Sequence, residues 1–390
     1  MELSAFLLQQ FVNAIFLGSI YALIALGYTM VYGIIELINF AHGELFTAGA
    51  FIGVIVLTAL QQIGFVETHF VLTMIIVFGM AMAYVAVLGV AVEHVAYKPL
   101  RGSSRLAALL SALGMSIFLS NGMMLSQGVS DRPYPQVFGT DAIEIMGARI
   151  TNGQIFIILL AVALMIGLQL FVHRTRLGKA MRATAQNKTM ARILGIDIDL
   201  TIRITFMIGP ALGAAAGVMV GLFYGAVRFD MGFIFMIKAF AAAILGGIGS
   251  IPGAMIGGLI IGVGEALFEF AIGPMIGGAT ENWFAYVLAL VFLVFRPQGL
   301  FGEKIILNEF VAFSHLTERL AGMSPRTIAV TTFSLCGFAN LSSIAILLGG
   351  LGVLVPEKRE LIGRFGIKAV LAASLSNLMS AALAGIMLTF

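Results

Sequence analysis

The chain has 390 residues, 60% of them hydrophobic and 11% charged, with a formal net charge of +3. Soluble chains carry about a quarter charged residues, so this composition excludes an ordinary soluble domain and predicts an all-α polytopic membrane protein embedded in a lipid bilayer. The basic residues fall in short stretches between apolar runs, which argues against a nucleic-acid partner, and the single cysteine, Cys336, excludes an internal disulfide or a multi-cysteine metal site.

The opening MELSAFLLQQ has no basic region ahead of its apolar run, so it reads as the start of a retained span, not a cleaved signal peptide. Candidate spans are Phe11–Gly33, Ile38–Leu60, Phe70–Val92, Leu106–Ser126, Gly153–His173, Thr201–Phe223, Phe233–Gly249, Ile251–Ile272 and Trp283–Phe295. This is about nine spans or re-entrant segments, Phe233–Gly249 being short enough to be re-entrant. Glu93–Arg105, Arg174–Leu200 and Arg296–Lys304 hold 3, 6 and 2 Lys or Arg, against 0, 2, 1 and 0 in 61–69, 127–152, 224–232 and 273–282. The positive-inside rule then places the first set in the cytoplasm and the N-terminus outside.

The second span opens with INFAHGE, Ile38 to Glu44, which puts Asn39, His42 and Glu44 at its cytoplasmic end. Polar groups there are costly unless paired and usually face a bundle interior or a pathway. Two readings stand: a hydrogen-bonded cluster closing a helix end, or a gate on a transport path. One histidine and one carboxylate are too few ligands for a metal site.

Glu93–Arg105 is basic, with Pro99 and Gly102 expected to break any helix. Gln127–Asn152, the longest external loop, reads as a connector or a docking surface. In Arg174–Leu200 the residues Ala183, Met190 and Leu194 are spaced for one helical face, so this loop either fixes topology by its charge or docks a soluble partner. The stretch Gly246 to Glu265 carries the small-xxx-small pairs Gly249/Gly253, Gly253/Gly257 and Gly258/Gly262, suited to close helix contact in lipid, with Pro252 marking a turn. No Gly-x-x-x-x-Gly-Lys-[Ser/Thr] loop occurs. If nucleotide hydrolysis powers this protein, another chain performs it.

Met1 to about Lys304 resembles the permease subunit of branched-chain amino-acid ABC importers. The resemblance lies in INFAHGE at Ile38–Glu44, YKPLRGS at Tyr97–Ser103, LGKAMRATAQNKTMARILGI at Leu177–Ile196, KAFAAAILGGIGSIPGAMIGG at Lys238–Gly258 and RPQGLFGEK at Arg296–Lys304. It implies that Gly178–Leu200 forms a coupling helix seated on a cytoplasmic ATPase. Gly178 opens that segment, and Ala183, Asn187, Ala191 and Gly195 recur at every fourth position as a small-residue face for the cleft. It further implies two permease subunits, two ATPases that use the ATP, an extracytoplasmic binding protein that selects the substrate, no cofactor on this chain, and an inner-membrane location.

Ile305 to Phe390 resembles the C-terminal end of concentrative nucleoside transporters, through LNEFVAF at Leu307–Phe313, SPRTIAVTTFSLCGFANLSSIAI at Ser324–Ile346 and the stretch Gly349–Ile386. It implies about two spans and a hairpin arm, with Glu309, Asn340 and Ser343 as remnants of a ribose site. The family's earlier half has no counterpart in 1–304: there is no Gly-Gln-Thr-Glu hairpin tip and no second Asn-Glu-Phe-Val element. Ile305–Leu316 spans only about 18 Å as a helix against a hydrocarbon core of about 30 Å. The expectation is therefore two sequences joined end to end, 1–304 an importer permease and 305–390 an appended fragment. The alternatives are a cation-coupled nucleoside symporter or a tail that works as an accessory surface. No nucleophile–base–acid set points to an enzyme.

Overall fold

The structure is a computed structural model that describes residues 3–35, 39–101, 103, 105–139, 142–276, 281–295 and 299–301. The chain divides into two compact units: Met1–Arg101 with Leu109–Leu293 and Gln298–Lys304, and Gly102–Ala108 with Val294–Pro297 and Ile305–Phe390. The first is a helical bundle. In the second, the described residues are few and belong to the start of one helix and the end of another.

The helices are α1 Leu3–Ile35, α2 His42–Gln62, α3 Phe65–Thr68, α4 Phe70–Val92, α5 Arg105–Gln127, α6 Asn152–Arg174, α7 Arg176–Gln186, α8 Lys188–Ile193, α9 Ile198–Tyr224, α10 Met231–Gly246, α11 Ile251–Ile276 and α12 Glu281–Phe295. Among the described residues seven are long and apolar enough to cross a membrane, and α10 is a shorter apolar helix of 16 residues. Four short strands occur among the described residues. β1 Arg132–Pro133 pairs antiparallel with β4 Ala226–Val227, and β2 Ala142–Ile145 with β3 Ala148–Thr151. The segment after α4 is not broken at once, as Pro99 and Gly102 led us to expect. It continues as a π-helical turn, Glu93–Tyr97, and a 3₁₀ turn, Lys98–Leu100. Pro99 fits because an early position in a helical turn has no internal partner for its missing N–H.

α1 and α9 are the buried axis of the first unit, and Phe16, Tyr21, Leu23, Phe46, Phe206 and Met219 are fully or almost fully buried. Helices in lipid gain no hydrophobic drive from one another and rely on close contact through small residues. A Cβ on Gly258 would stand 2.3 Å from the backbone N of Ala22, and one on Gly262 2.4 Å from that of Gly18, so α11 lies directly on α1. Gly246 and Gly253 bring α10 equally close to α11, and Gly49 and Gly217 bring α2 to α9. The outer faces are apolar: Val71, Ile75 and Val87 on α4 and Phe118 and Leu125 on α5 are exposed, as a lipid-facing surface requires.

Where they are described, loops rich in Lys and Arg and loops poor in them join different helix ends. Gln9 accepts the backbone N–H of Arg149, Gln154 donates to Asn13, and β1 pairs with β4, which brings the start of α1 together with 132–154 and 224–227. At the basic end, Arg101 bridges to Asp199 and Lys188 donates to the carbonyl of Ile35 at the end of α1. The backbone N–H groups of Leu300 and Phe301 bond the carbonyls of Leu245 and Gly246, holding residues 299–301 against the end of α10.

Candidate functional site

Asn39 to Glu44 do not sit at a helix end on the surface. α2 begins at His42, inside the bundle. His42 faces Gly27, eight residues before the end of α1, and Gly213, fifteen residues into α9. At 1.5 Å per residue these lie about 12 and about 22 Å from the basic ends of their helices. Gly43 abuts Gly232 at the start of α10, where a Cβ on Gly232 would stand 2.0 Å from the Gly43 carbonyl oxygen. Two helix starts therefore meet within the unit.

Each of the three polar residues addresses a different neighbour. The Oδ1 of Asn39 accepts the backbone N–H of Ala41 and the hydroxyl of Tyr97, both at 3.1 Å. The first is the Asx-type contact that lets a short amide stand in for a backbone turn. Glu44 lies in the first turn of α2, where the helix dipole favours negative charge, and its Oε1 accepts from Ser116 of α5 at 3.2 Å. His42 is fully buried, edge-on to the Tyr28 ring with centroids 6.0 Å apart. The Asn39 Nδ2 and the Glu44 Oε2 are buried with no hydrogen-bond partner among the described residues, and the His42 ring lies near the backbone of Ile24. His42 and Glu44 point to different helices, so they do not converge on one ligand position.

The loop 174–200 departs from a single helix. Thr175 caps α7 by accepting the Gly178 N–H at 3.0 Å, and Gly178 lies against the carbonyl of Val172, where a Cβ would stand 2.2 Å away. α7 buries Met181 and Thr184. The helix breaks at Asn187, whose extended backbone (φ −158°) lets its side chain cap α8 through the Met190 N–H. α8 ends at Gly195 in the left-handed region (φ 79°), with Ile196 N–H to Ala191 C=O and Gly195 N–H to Arg192 C=O, the Schellman arrangement. Asp197 then caps α9. Consequently Ala183, Asn187, Ala191 and Gly195 form no common face: Ala183 is half-buried, Ala191 is buried, Asn187 is in the break and Gly195 is in the turn. Beside Thr189 and Arg192, α8 and its C-cap Leu194 expose three apolar side chains instead. Met190, Ile193 and Leu194 are 58, 73 and 76% exposed at the basic end of the unit. Their i, i+3, i+4 spacing was present in the sequence; the break at Asn187 selects them.

Two polar constellations escaped sequence reasoning. In the first, Lys238 of α10 donates to Glu265 Oε2 of α11 at 3.0 Å and to the Tyr21 hydroxyl of α1 at 3.1 Å, while Tyr21 donates to the same Glu265 oxygen at 2.9 Å. The ammonium also stands 5.2 Å from the Tyr21 ring centroid. The available signal was a charge inside each of two apolar runs. In the second, Arg101 bridges Glu93, buried in the π turn, and Asp199 in the first turn of α9. Glu309, Asn340 and Ser343 lie outside the described residues.

Fold and site together define a multi-pass helical membrane protein whose polar groups face inward. Residues 10–296 match the branched-chain amino acid transport system / permease component family, and the chain belongs to that family. The high-affinity branched-chain amino acid transport system permease protein BraD of Pseudomonas aeruginosa is 45% identical over 302 residues, 76% of this chain and 96% of its own. The corresponding LivH of Escherichia coli K12 is 43% identical with the same coverage. Residues 284–385 match the Na+ dependent nucleoside transporter C-terminus family. The nucleoside permease NupC of Helicobacter pylori is 54% identical over 90 residues, 22% of this chain and 22% of its own length.

Proposed function

We propose that this chain is the permease subunit of an ATP-driven importer of branched-chain or related amino acids in the inner membrane. It works with a second permease subunit, two cytoplasmic ATPases that hydrolyse the ATP, and an extracytoplasmic binding protein. The observation that carries the coupling is α8 with its C-cap: three exposed apolar side chains, Met190, Ile193 and Leu194, at the basic end of the bundle. That end is cytoplasmic by its excess of Lys and Arg, so lipid does not cover the patch, and apolar groups there favour a protein partner. Residues 1–304 form the permease domain, with Asn39, His42 and Glu44 beside the transport path, and 305–390 are an appended segment without transport activity of its own.

A cation-coupled nucleoside symporter is the less favoured reading, because the NupC match spans 22% of that protein's length. Uptake of labelled leucine and labelled uridine by cells making the full chain with its ATPases and binding protein separates the two. ATP-dependent leucine uptake without uridine uptake is the expected result. Uridine uptake driven by a sodium or proton gradient would overturn it.

A further inference from the structure

The π-helical turn Glu93–Tyr97 is tied at both ends to elements with different jobs. At its start, Glu93 is 1% exposed and bound by Arg101, whose other nitrogen holds Asp199 in the first turn of α9, where the segment 174–200 ends. At its end, Tyr97 is 3% exposed, packed 5.2 Å from the Phe206 ring, and donates to Asn39. Asn39 in turn accepts the N–H of Ala41 where α2 begins. Between them, the Ala96 carbonyl accepts from Ser111 of α5 at 2.8 Å, and the same helix supplies Ser116 to Glu44. A continuous hydrogen-bonded path thus runs from the exit of the basic loop to the buried start of α2.

A π turn is an α-helix holding one extra residue. It is rare, weakly favoured, and concentrated at functional sites. Relaxing it to α-helical geometry would carry Tyr97 about 100° around the helix axis. That removes its hydroxyl from Asn39 and loosens the turn that starts α2. The α-helical register is thus a second arrangement open to the segment, and bonds to both the loop side and the buried side favour the π form. Such a two-state element gives a coupling path physical content.

We propose that the turn Glu93–Tyr97 is the link by which movement of the loop 174–200 reaches the start of α2, with Arg101 and Tyr97 as positioning residues at its two ends. The mechanical link stands on the geometry alone; its part in transport rests on the permease reading above. Tyr97 sets the position of Asn39 beside the path, and Arg101 ties the turn to the start of α9.

Hydrogen exchange on the full chain in detergent micelles tests the link without any partner. Asp199→Asn removes one arm at a position 59% exposed. The expected result is at least fivefold faster exchange in peptides covering 93–101 and 39–45, restored towards the original rate by Asp199→Glu. Acceleration confined to 196–203 would overturn the proposal. Tyr97→Phe probes the other end, and unchanged exchange at 39–45 in that variant would overturn it equally. In proteoliposomes with the ATPases and binding protein, Tyr97→Phe and Asp199→Asn are each expected to lower leucine carried per ATP at least fivefold, with basal hydrolysis within twofold. Groups on one path are non-additive, so the double variant is expected to be no worse than the poorer single one. Defects that multiply would overturn the link. If the unmodified chain shows no ATP-driven uptake, the permease reading fails, while the exchange measurement still judges the link by itself.

Discussion

Lys238 on α10 and Glu265 on α11 stand 3.0 Å apart with side chains only 6 and 4% exposed, and the Tyr21 hydroxyl of α1 bonds both. Two charges are thereby buried as one neutral unit that joins three helices. Removing one partner of such a pair costs about 3–5 kcal/mol, because the other charge loses its counter-charge. Lys238→Met is expected to lower the melting temperature in detergent sharply, leaving Glu265 with the Tyr21 hydroxyl. Lys238→Met with Glu265→Leu is expected to recover much of the loss. Thermal unfolding of the singles and the double measures the cycle.

Gly258 and Gly114 contrast two roles of glycine. A Cβ on Gly258 meets the Ala22 backbone at 2.3 Å, whereas one on Gly114 of α5 meets nothing within 4 Å. Gly258→Ala is expected to destabilise by about 1–3 kcal/mol through overpacking. Gly114→Ala is expected to be neutral or stabilising by up to about 1 kcal/mol through helix propensity. Melting curves of the two variants side by side decide the point.

Tyr134, in the loop between α5 and β2, inserts its ring between α2 and α9, where Cβ atoms on Gly53 and Gly221 would each come within 2.2 Å of it. Its hydroxyl is buried without a hydrogen-bond partner among the described residues, and burial pushes its pKa upward. The folded state therefore keeps the proton that the unfolded chain releases above about pH 10, so this residue's contribution to stability is intact below that pH and falls as pH rises beyond it. Tyr134→Phe is expected to match or exceed the parent in melting temperature at pH 7 and to weaken the decline above pH 10. A steep loss with Phe at pH 7 would mean that the hydroxyl is bonded.

Ile193 and Gly195 test the docking surface. Ile193→Asp places a charge on the exposed apolar patch and is expected to cut co-purification of the ATPases at least fivefold, with membrane insertion unchanged. Gly195→Trp is expected to do the same. Its left-handed backbone adds strain of about 1–2 kcal/mol for any side chain, so the isoleucine variant isolates the surface more cleanly. Normal ATPase recovery with Ile193→Asp would remove α8 from the interface.

Glu309→Gln is expected to leave leucine uptake unchanged, as is deletion of 305–390. A clear loss in either would bring the appended segment into the transport path.

Much of the bundle was legible because long apolar runs leave little choice. The run Phe70–Val92 and helix α4 share the same limits. What escaped was set by tertiary contact. The apolar Ile38 and Phe40 made the second span read as starting at the membrane surface, and the contacts that sink its start come from α1, α9 and α10. Spacing across Asn187 assumed an unbroken helix, although asparagine's capping preference was itself the contrary signal. The Lys238–Glu265 pair joins residues 27 apart on separate helices, a relationship that no local period records.

The buried start of α2 also has a consequence for biosynthesis. Tyr97, Ser116, Gly213 and Gly232, which surround Asn39, Gly43, His42 and Glu44, all follow them in the chain. Chains are made N-terminal end first, so these groups are synthesised long before the surfaces that enclose them. The second helix cannot settle until more than half of the protein has left the ribosome. A lesion at Gly232 should therefore behave as a failure of α2 to insert, distant from it in sequence and late in time.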